Sequence, residues 1–312
     1  MHLWHTLKAD GDVVIEGVLL CSGCGAEYPI LDGIPMLVPK LRQVVQDSLF
    51  QIIQRDDLSP TMRTLLGDCC GPDGAWDTTQ QHASTYCWDH WGDFDPAEED
   101  LPAPGSIARL AQVAADALET DGPLIDLGCG PGRATVELAK DRPVLGVDLN
   151  IDLLRHAQRV LRRGRCSYPR RRGGLVYDRR DFPVQADLSN VDFWCCDARA
   201  LPFADHTFTG AVALNLLDSI SDPEAMLNEA FRVSSGAIAL SSPFDWSGTN
   251  TPVEKWLGGH SQRGGYPDGV AALKDWLKKR GKKVFAEEDL PWALRLHDRS
   301  TLHYRTWLGG IA

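Results

Sequence analysis

The stretch Leu124-Ile125-Asp126-Leu127-Gly128-Cys129-Gly130-Pro131-Gly132-Arg133 decides how the rest of the chain is read. An apolar run ends in an acid and then passes through glycines at every second position. Ala134 to Lys140 follows, with Val136 and Ala139 at helical spacing. The order is strand, tight loop, helix. Glycines let backbone approach a ligand closely, and the first turn of a helix offers unpaired N–H groups. Many strand-to-helix turns look like this, and it is the next unit that adds specificity. Val144-Leu-Gly-Val-Asp148 reads as a second buried strand ending in an acid about twenty residues on, where a carboxylate can hold a ribose. A nicotinamide dinucleotide site is the competing reading. It needs its last glycine three residues beyond the second, and no such pattern is present.

Working outward, the 312 residues suffice for one large α/β domain with an appendage. A net charge of −11 argues against a surface given over wholly to nucleic acid or an anionic membrane. No apolar run is long enough to span a bilayer, and Met1 to His5 lacks a basic region followed by an apolar core, so a cytoplasmic location is expected. The cysteines number nine, and Cys195-Cys196 lies inside an apolar run, which reads as reduced core rather than disulfide. Cys69-Cys70 is the other adjacent pair.

Residues 1–40 read as a small unit. Val13 to Ile15 and Val18 to Leu20 make short strands, and Cys21-Ser-Gly-Cys24 is a CxxC knuckle. His2 and His5 repeat the two-residue gap, so His2, His5, Cys21 and Cys24 have the ligand spacing of a zinc ribbon; packed cysteines beside a frayed terminus are the alternative. Residues 41–104 read as a linking segment over the active site. It has a helical pattern over Leu41 to Gln54, turns over Gly67 to Gly74, an aromatic cluster at Tyr86 to Phe94 and an acidic loop to Pro104. Residues 105–312 carry the remaining strands and helices. An amphipathic helix spans 106–120, and Asn150 caps another over Ile151 to Arg163. A run of arginines from Arg162 to Arg180 reads as a solvated inserted loop, or as the one candidate for an anionic partner. Strands are expected at Val191 to Cys196, Phe208 to Leu217 and Ala237 to Ser241, and helices at Pro223 to Val233 and Gly269 to Arg280. Pro243 to Gly265, with Trp246, Trp256 and His260, is long enough for a lid. The closing strands are expected within Val284 to Phe285, Trp292 to Leu296 and Leu302 to Trp307. Alternating strands and helices imply a doubly wound, mainly parallel α/β sheet, with ligands at the carboxyl ends of its strands.

Residues 123–242 resemble class I S-adenosylmethionine (SAM)-dependent methyltransferases of the type 11 group. The matching pieces are the glycine loop, Gly146-Val-Asp148-Leu149, Cys196-Asp197-Ala-Arg-Ala-Leu-Pro-Phe-Ala-Asp205 and the helix following Asp222-Pro-Glu. The resemblance implies a seven-stranded Rossmann-like sheet and SAM as cofactor. By it, Asp126 and the backbone from Gly128 through Cys129 to Gly130 hold the methionine end. Asp148 accepts from the ribose hydroxyls, Leu149 packs on the adenine, and Asp197 with Ala198 meets its amino edge. Asn215 or Leu216 lines the pocket beside the methyl group. Methyl transfer asks mainly for alignment and exclusion of water, and a base only where the acceptor carries a proton. His90, Asp218 and Tyr86 are the candidates for that base.

Two narrower resemblances add expectations. Cys21 to Pro39, with its Tyr-Pro-Ile-Leu-Asp-Gly-Ile-Pro core, resembles the Trm112-like family of zinc-ribbon proteins, whose members usually carry a second CxxC where this chain has His2 and His5. Tyr86-Cys-Trp-Asp-His-Trp-Gly92, Asn215-Leu-Leu-Asp-Ser219, Ser242 to Gly259 and Leu290 to Arg299 resemble the methyltransferase domain of ovothiol-pathway 4-mercaptohistidine N-methyltransferases. The second implies a small, polar, nitrogen-bearing acceptor. The alternatives are a ribosomal-RNA methyltransferase meeting phosphate through the arginine run, and a non-catalytic SAM-binding scaffold.

Overall fold

In the computed structural model, which describes residues 1–41, 44, 72–99, 102–118, 120–260 and 268–312, the chain opens on four strands joined by short turns. These are β1 (His2–Asp10), β2 (Val13–Leu20), β3 (Glu27–Leu31) and β4 (Ile34–Leu37), each antiparallel to the next. Most of the expected helix over 41–54 and the Cys69-Cys70 pair lie outside the described residues. Then come α1 (Ala75–Trp91), α2 (Ser106–Leu118), β5 (Leu124–Leu127), α3 (Arg133–Leu138), β6 (Val144–Asp148) and α4 (Ile151–Arg163). A hairpin follows, β7 (Arg165–Gly173) and β8 (Val176–Pro183), and after it β9 (Val191–Cys196) and β10 (Gly210–Leu214). The chain ends with α5 (Pro223–Val233), β11 (Ile238–Ser242), α6 (Gly269–Lys278), β12 (Val284–His297) and β13 (Ser300–Ile311).

The sheet runs β1-β2-β3-β4-β9-β6-β5-β10-β11-β13-β12. From β4 to β11 neighbours are parallel, and β13 is antiparallel to both β11 and β12. It is thus a mixed sheet of eleven strands rather than a sheet of seven beside a separate head. The head is continuous with it because β4 runs beside β9, Met36 opposite Cys195 and Leu37 opposite Cys196. The central strands β5 and β10 are buried along their whole length, as strands covered on both faces must be. The two-residue period sends Ile125 and Leu127 into one core with α5 and α6. Leu124 goes to the other face, with Leu110, Ala114 and Leu138 of α2 and α3. Asp126 shares that face, directly under α3.

The helix boundaries follow their caps. The Asn150 side chain accepts from the N–H groups of Asp152 and Leu153, and Asp222 and Asp268 cap α5 and α6 in the same way. The chain leaves α4 at Gly164 in the left-handed conformation. Cys195 and Cys196 are free and buried, as expected of core residues. Among the described residues, no helix is long and apolar enough to cross a membrane.

Two expectations fail here. The arginine run does not form a loop: residues 165–183 fold into the β7–β8 hairpin. Its cations are spent locally. Arg165 pairs with Asp181 at 2.8 Å, Arg172 with Asp178 at 2.9 Å and Arg180 with Asp95 at 2.6 Å, while Arg170 reaches Glu98 and Asp298. The hairpin braces α1, since the Arg171 N–H donates to Ser84 Oγ at 2.8 Å and Tyr177 Oη donates to Asp77 at 2.7 Å.

The four-ligand zinc expectation fails too. Among the described residues no three His, Cys, Asp or Glu side chains gather around a possible metal position. His2 pairs with Leu20 beside the knuckle, but His5 pairs with Val18, about 10 Å down the strand from Cys21. Both rings instead meet Trp4 edge-on, with centroids at 6.1 and 5.3 Å. Cys21 and Cys24 stay in the turn beyond β2, where the N–H groups of Cys24 and Gly23 hold the Cys21 thiol below its ordinary pKa. The residues present do not fit the metal.

Candidate active site

The carboxyl ends of β6, β5 and β10 deliver Asp148, Asp126 and Asn215 to one side of the sheet. The glycine loop crosses above them. Gly128 and Cys129 donate their N–H groups to Val147 O at 2.8 and 3.1 Å, which ties the loop to β6. Gly128 has φ of 73°, and a Cβ there would lie 2.8 Å from Leu216 Cδ1. Gly132 has φ of 92°, and a Cβ there would lie 2.5 Å from Phe193 Cζ. Only glycine tolerates both the angle and the crowding.

Asp148 is held from both sides. One carboxylate oxygen accepts from Gly130 N–H at 2.8 Å and the other from Asn150 N–H at 2.7 Å. Leu149 N–H is a third backbone donor to the carboxylate, which keeps acceptor capacity for a ribose hydroxyl. Burial raises its pKa, and the backbone donors oppose that rise. Asp126 is 1% exposed, accepts from Thr135 Oγ1 at 2.7 Å, and is pushed up to about 7 by burial. Leu149 is exposed and Ala198 buried, at adjoining strand ends. Asp197 is clasped by Arg199, whose Nε and Nη2 lie at 2.9 and 2.7 Å. Burial works to raise the Asp197 pKa, but the Arg199 bonds hold it below the usual carboxylate range.

Sequence reasoning missed how the end of α1 docks on this loop. His90 Nδ1 accepts the Arg133 N–H at 3.0 Å, the first free amide of α3. Trp91 Nε1 donates to Pro131 O at 2.9 Å. The Arg133 guanidinium bonds His90 O and Asp93 and lies 4.6 Å from the Phe94 ring centroid. Burial, with Arg133 alongside, lowers the His90 pKa to about 3. The ring is neutral, with its proton on Nε2. Because the folded value lies below the usual 6.5, His90 contributes stability above that pH and loses it as pH falls toward 3. His90→Gln should therefore lose less stability than the wild type between pH 6.5 and 3, and equal losses in thermal melts would remove the imidazole from this role.

The other side of the pocket comes from the end of β10. Asn215 has φ of 53° and accepts at Oδ1 from Ser241 Oγ at 2.9 Å and Thr306 Oγ1 at 2.6 Å. Ser241 Oγ itself accepts the Asn215 N–H at 3.0 Å, which fixes its proton toward Oδ1. Asn215 Nδ2 is left buried without a protein partner. Asp218 is 3% exposed. Its Oδ2 accepts the Asp245 N–H at 2.6 Å, and its Oδ1 is buried with no partner. Burial pushes its pKa up to about 6. Tyr86 sits within electrostatic reach of Asp148 and Asp218, and burial and then those charges raise its pKa. Tyr304 donates to Asp245 at 3.0 Å, and burial pushes its hydroxyl up to about 12. Trp292 stacks on Tyr304 and donates to Asp89, a buried acid that also accepts from Ser106 Oγ and Ile107 N–H.

The expected lid is tied to this wall. Trp246 stacks on Trp256 at 6.0 Å, Trp256 Nε1 donates to Thr251 O at 2.8 Å, and buried Thr251 donates to Ile220 O at 2.8 Å and to Asp218 O at 3.3 Å. The part of the segment from residue 261 to 265 lies outside the described residues.

The expected residues therefore sort into two groups. Asp126, Gly128, Cys129, Gly130, Asp148, Leu149, Asp197, Ala198, Asn215 and Leu216 occupy adjoining strand ends and loops. Tyr86 and Asp218 share the flank, whereas His90 packs beneath the glycine loop. The glycine cradle and the doubly anchored Asp148 fit a nucleoside cofactor such as SAM.

Residues 125–239 match the family model described as "Methyltransferase domain". The segment from β5 to β11 is thus similar to a methyltransferase domain. Among solved structures it is similar to a SAM-dependent methyltransferase from Methanosarcina mazei, at 20% identity and TM-score 0.43, covering 64% of this chain and 95% of that one. It is similar also to a SAM-dependent methyltransferase from Aquifex aeolicus, at 14% identity and TM-score 0.41, covering 66% and 90%. A third neighbour is the [4+2]-cyclase SpnF, at 24% identity and TM-score 0.41, covering 59% of this chain and 60% of that one.

Proposed function

We propose that this protein transfers the methyl group of SAM to a small, polar, nitrogen-bearing acceptor held between Asp218 and Tyr86. The observation that carries the reading is Asp218 itself. It is a buried carboxylate whose Oδ1 has no partner, at the strand end where the acceptor must stand. Such a group costs stability unless something supplies a hydrogen or a positive charge, and a protonated acceptor nitrogen does both.

When bound, SAM supplies a methyl group already activated on a sulfonium. Asp148 holds the ribose, Leu149 and Asp197 with Ala198 the adenine, and Asp126 with the backbone at Gly128, Cys129 and Gly130 the methionine end. Asp218 would take the proton of the acceptor nitrogen, leaving a lone pair to form the N–C bond as the methyl–sulfur bond breaks and its electron pair leaves on the thioether product. Tyr86 orients the acceptor, and Asn215 Nδ2 donates to an acceptor oxygen. His90 serves as a positioning residue rather than the base, because its Nδ1 is already occupied by the Arg133 amide. The likeness of Tyr86 to Gly92, Asn215 to Ser219 and Ser242 to Gly259 to ovothiol-pathway enzymes favours a histidine-like acceptor. The RNA alternative loses support where hairpin arginines are already paired with Asp181, Asp178, Asp95, Glu98 and Asp298.

The test is methyl transfer from labelled SAM to a panel of histidine-like thiols, simple amines and ribosomal-RNA fragments, using the full chain. Label in a low-molecular-weight nitrogen compound is expected. Label only in RNA would overturn the reading.

A further inference from the structure

The knuckle between β2 and β3 holds two thiols that the methyl-transfer site does not use. Cys21-Ser-Gly-Cys24 forms the turn after Leu20, and the chain is back in a strand by Glu27. Gly25, at φ of 72°, donates its N–H to Cys21 O at 2.8 Å, and the Cys21 N–H donates to Ala26 O at 2.9 Å. A turn closed this tightly brings its first and fourth residues within about 7 Å, the reach of a disulfide. The Cys21 side chain folds back over the loop: a Cβ on Gly23 would lie 3.9 Å from its sulfur. There it meets the N–H groups of Cys24 and Gly23 and the thiol of Cys24, and these contacts lower its pKa. The two sulfurs are therefore in contact, with Cys21 half-buried and Cys24 exposed. Both are free, and among the described residues no third His, Cys, Asp or Glu joins them around a metal position.

The other described cysteines have the opposite setting. Cys87, Cys129, Cys166, Cys195 and Cys196 are buried, and burial raises the thiol pKa of Cys87, Cys129, Cys195 and Cys196. Thiol–disulfide exchange needs a thiolate that solvent can reach and a second thiol in contact with it. Among the described residues only the knuckle supplies both.

We propose that Cys21 and Cys24 form a reversible exchange site that takes a low-molecular-weight disulfide as its substrate. The Cys21 thiolate attacks one sulfur of that disulfide, and the electron pair of the broken S–S bond leaves on the other sulfur as the first thiolate. Cys24 then gives up its proton and attacks the Cys21 sulfur, which breaks the mixed disulfide and releases the second thiolate. Two cysteine thiols are oxidised to one disulfide, the external disulfide is reduced to two thiols, and the two protons pass to them. In the sheet, β4 and β9 lie between β3 and β6, the strand that ends at Asp148. The inference therefore does not rest on the acceptor reading.

The experiment incubates the full chain with glutathione disulfide near neutral pH, quenches with acid, alkylates the remaining thiols after denaturation and maps them by mass spectrometry. In the wild type the peptide holding Cys21 and Cys24 should lose both alkylation sites, while Cys87, Cys129, Cys195 and Cys196 stay fully alkylated. Cys69 and Cys70 lie on a separate peptide and are read apart. An excess of reduced glutathione should restore both knuckle thiols. Cys24→Ser should stop at a mixed disulfide, with one glutathione on Cys21. Cys21→Ser should take up glutathione at Cys24 at least about tenfold more slowly, because the remaining thiol lacks the loop N–H groups. Cooperative melts shared by the three proteins show that they are folded. Retention of both knuckle thiols in the wild type, or equal rates of glutathione uptake in the two single variants, overturns the proposal.

Discussion

Asp148→Ala is expected to lose the SAM-induced rise in melting temperature that the wild type shows. The carboxylate is anchored at both oxygens by backbone N–H groups, at 2.8 and 2.7 Å, so its direction is set before any ligand arrives. Charge-assisted hydrogen bonds contribute about 1.5–3 kcal/mol each, so losing two ribose contacts should weaken SAM binding by roughly a hundredfold to ten-thousandfold. The apo protein should not suffer equally. Burial raises the Asp148 pKa, so the ionised form is disfavoured in the fold, and stability falls as pH rises through the folded value. Removing the carboxylate relieves that term while freeing the Gly130 amide. An apo melting temperature near that of the wild type, with no response to SAM, is the expected pair of results. A full SAM shift in the variant would take Asp148 out of the ribose site.

The central units were legible because their physics is local. In β5, the apolar run ending at Asp126 and the alternating glycines left one arrangement, and α4 runs from Ile151 to Arg163 as the Asn150 cap predicted. In α1 the buried side carries Asp77, Thr79, Gln80, Ser84, Asp89 and His90 beside Trp88 and Trp91, so no apolar period marks it. Its partners are distant in sequence: Arg133 for His90, Trp292 for Asp89 and Tyr177 for Asp77. Polar matching across such separations leaves no local signal. The arginine run failed for the same reason. Charge density reads as solvent exposure until the carboxylates that meet it, such as Asp95 and Asp298, are brought close by the fold. His2 and His5 failed through register, since pairing with Leu20 and Val18 spreads them along β1. The placement of Asp126 and Asp148 at strand ends was thus readable, while that of the residues joining α1 to the sheet was not.

Asp218→Asn is expected to reduce turnover by about two to four orders of magnitude, the usual worth of a positioned acid–base group. The substitution keeps the shape, and Oδ1 of the new amide can still accept the Asp245 N–H. SAM binding, measured by the melting shift, should therefore survive. The pH dependence supplies the sharper test. A base must be ionised to act, and burial pushes Asp218 up to about 6. In the wild type, kcat/KM should be flat above that value and fall about tenfold per pH unit below it. Asp126, at about 7, and Asp89, at about 6, titrate nearby and could mimic such a limb. They separate by consequence. Asp126 accepts from Thr135, and under the proposed function it holds the cofactor's methionine end, so its protonation should weaken SAM binding, whereas Asp89 accepts from Ser106, Ile107 and Trp292 and should register in stability. Only the limb that vanishes in Asp218→Asn, with SAM affinity unchanged across the same pH range, belongs to proton removal from the acceptor. Undiminished turnover in that variant would mean that the acceptor arrives without a proton to lose, and the search would move to an uncharged nitrogen or a sulfur nucleophile.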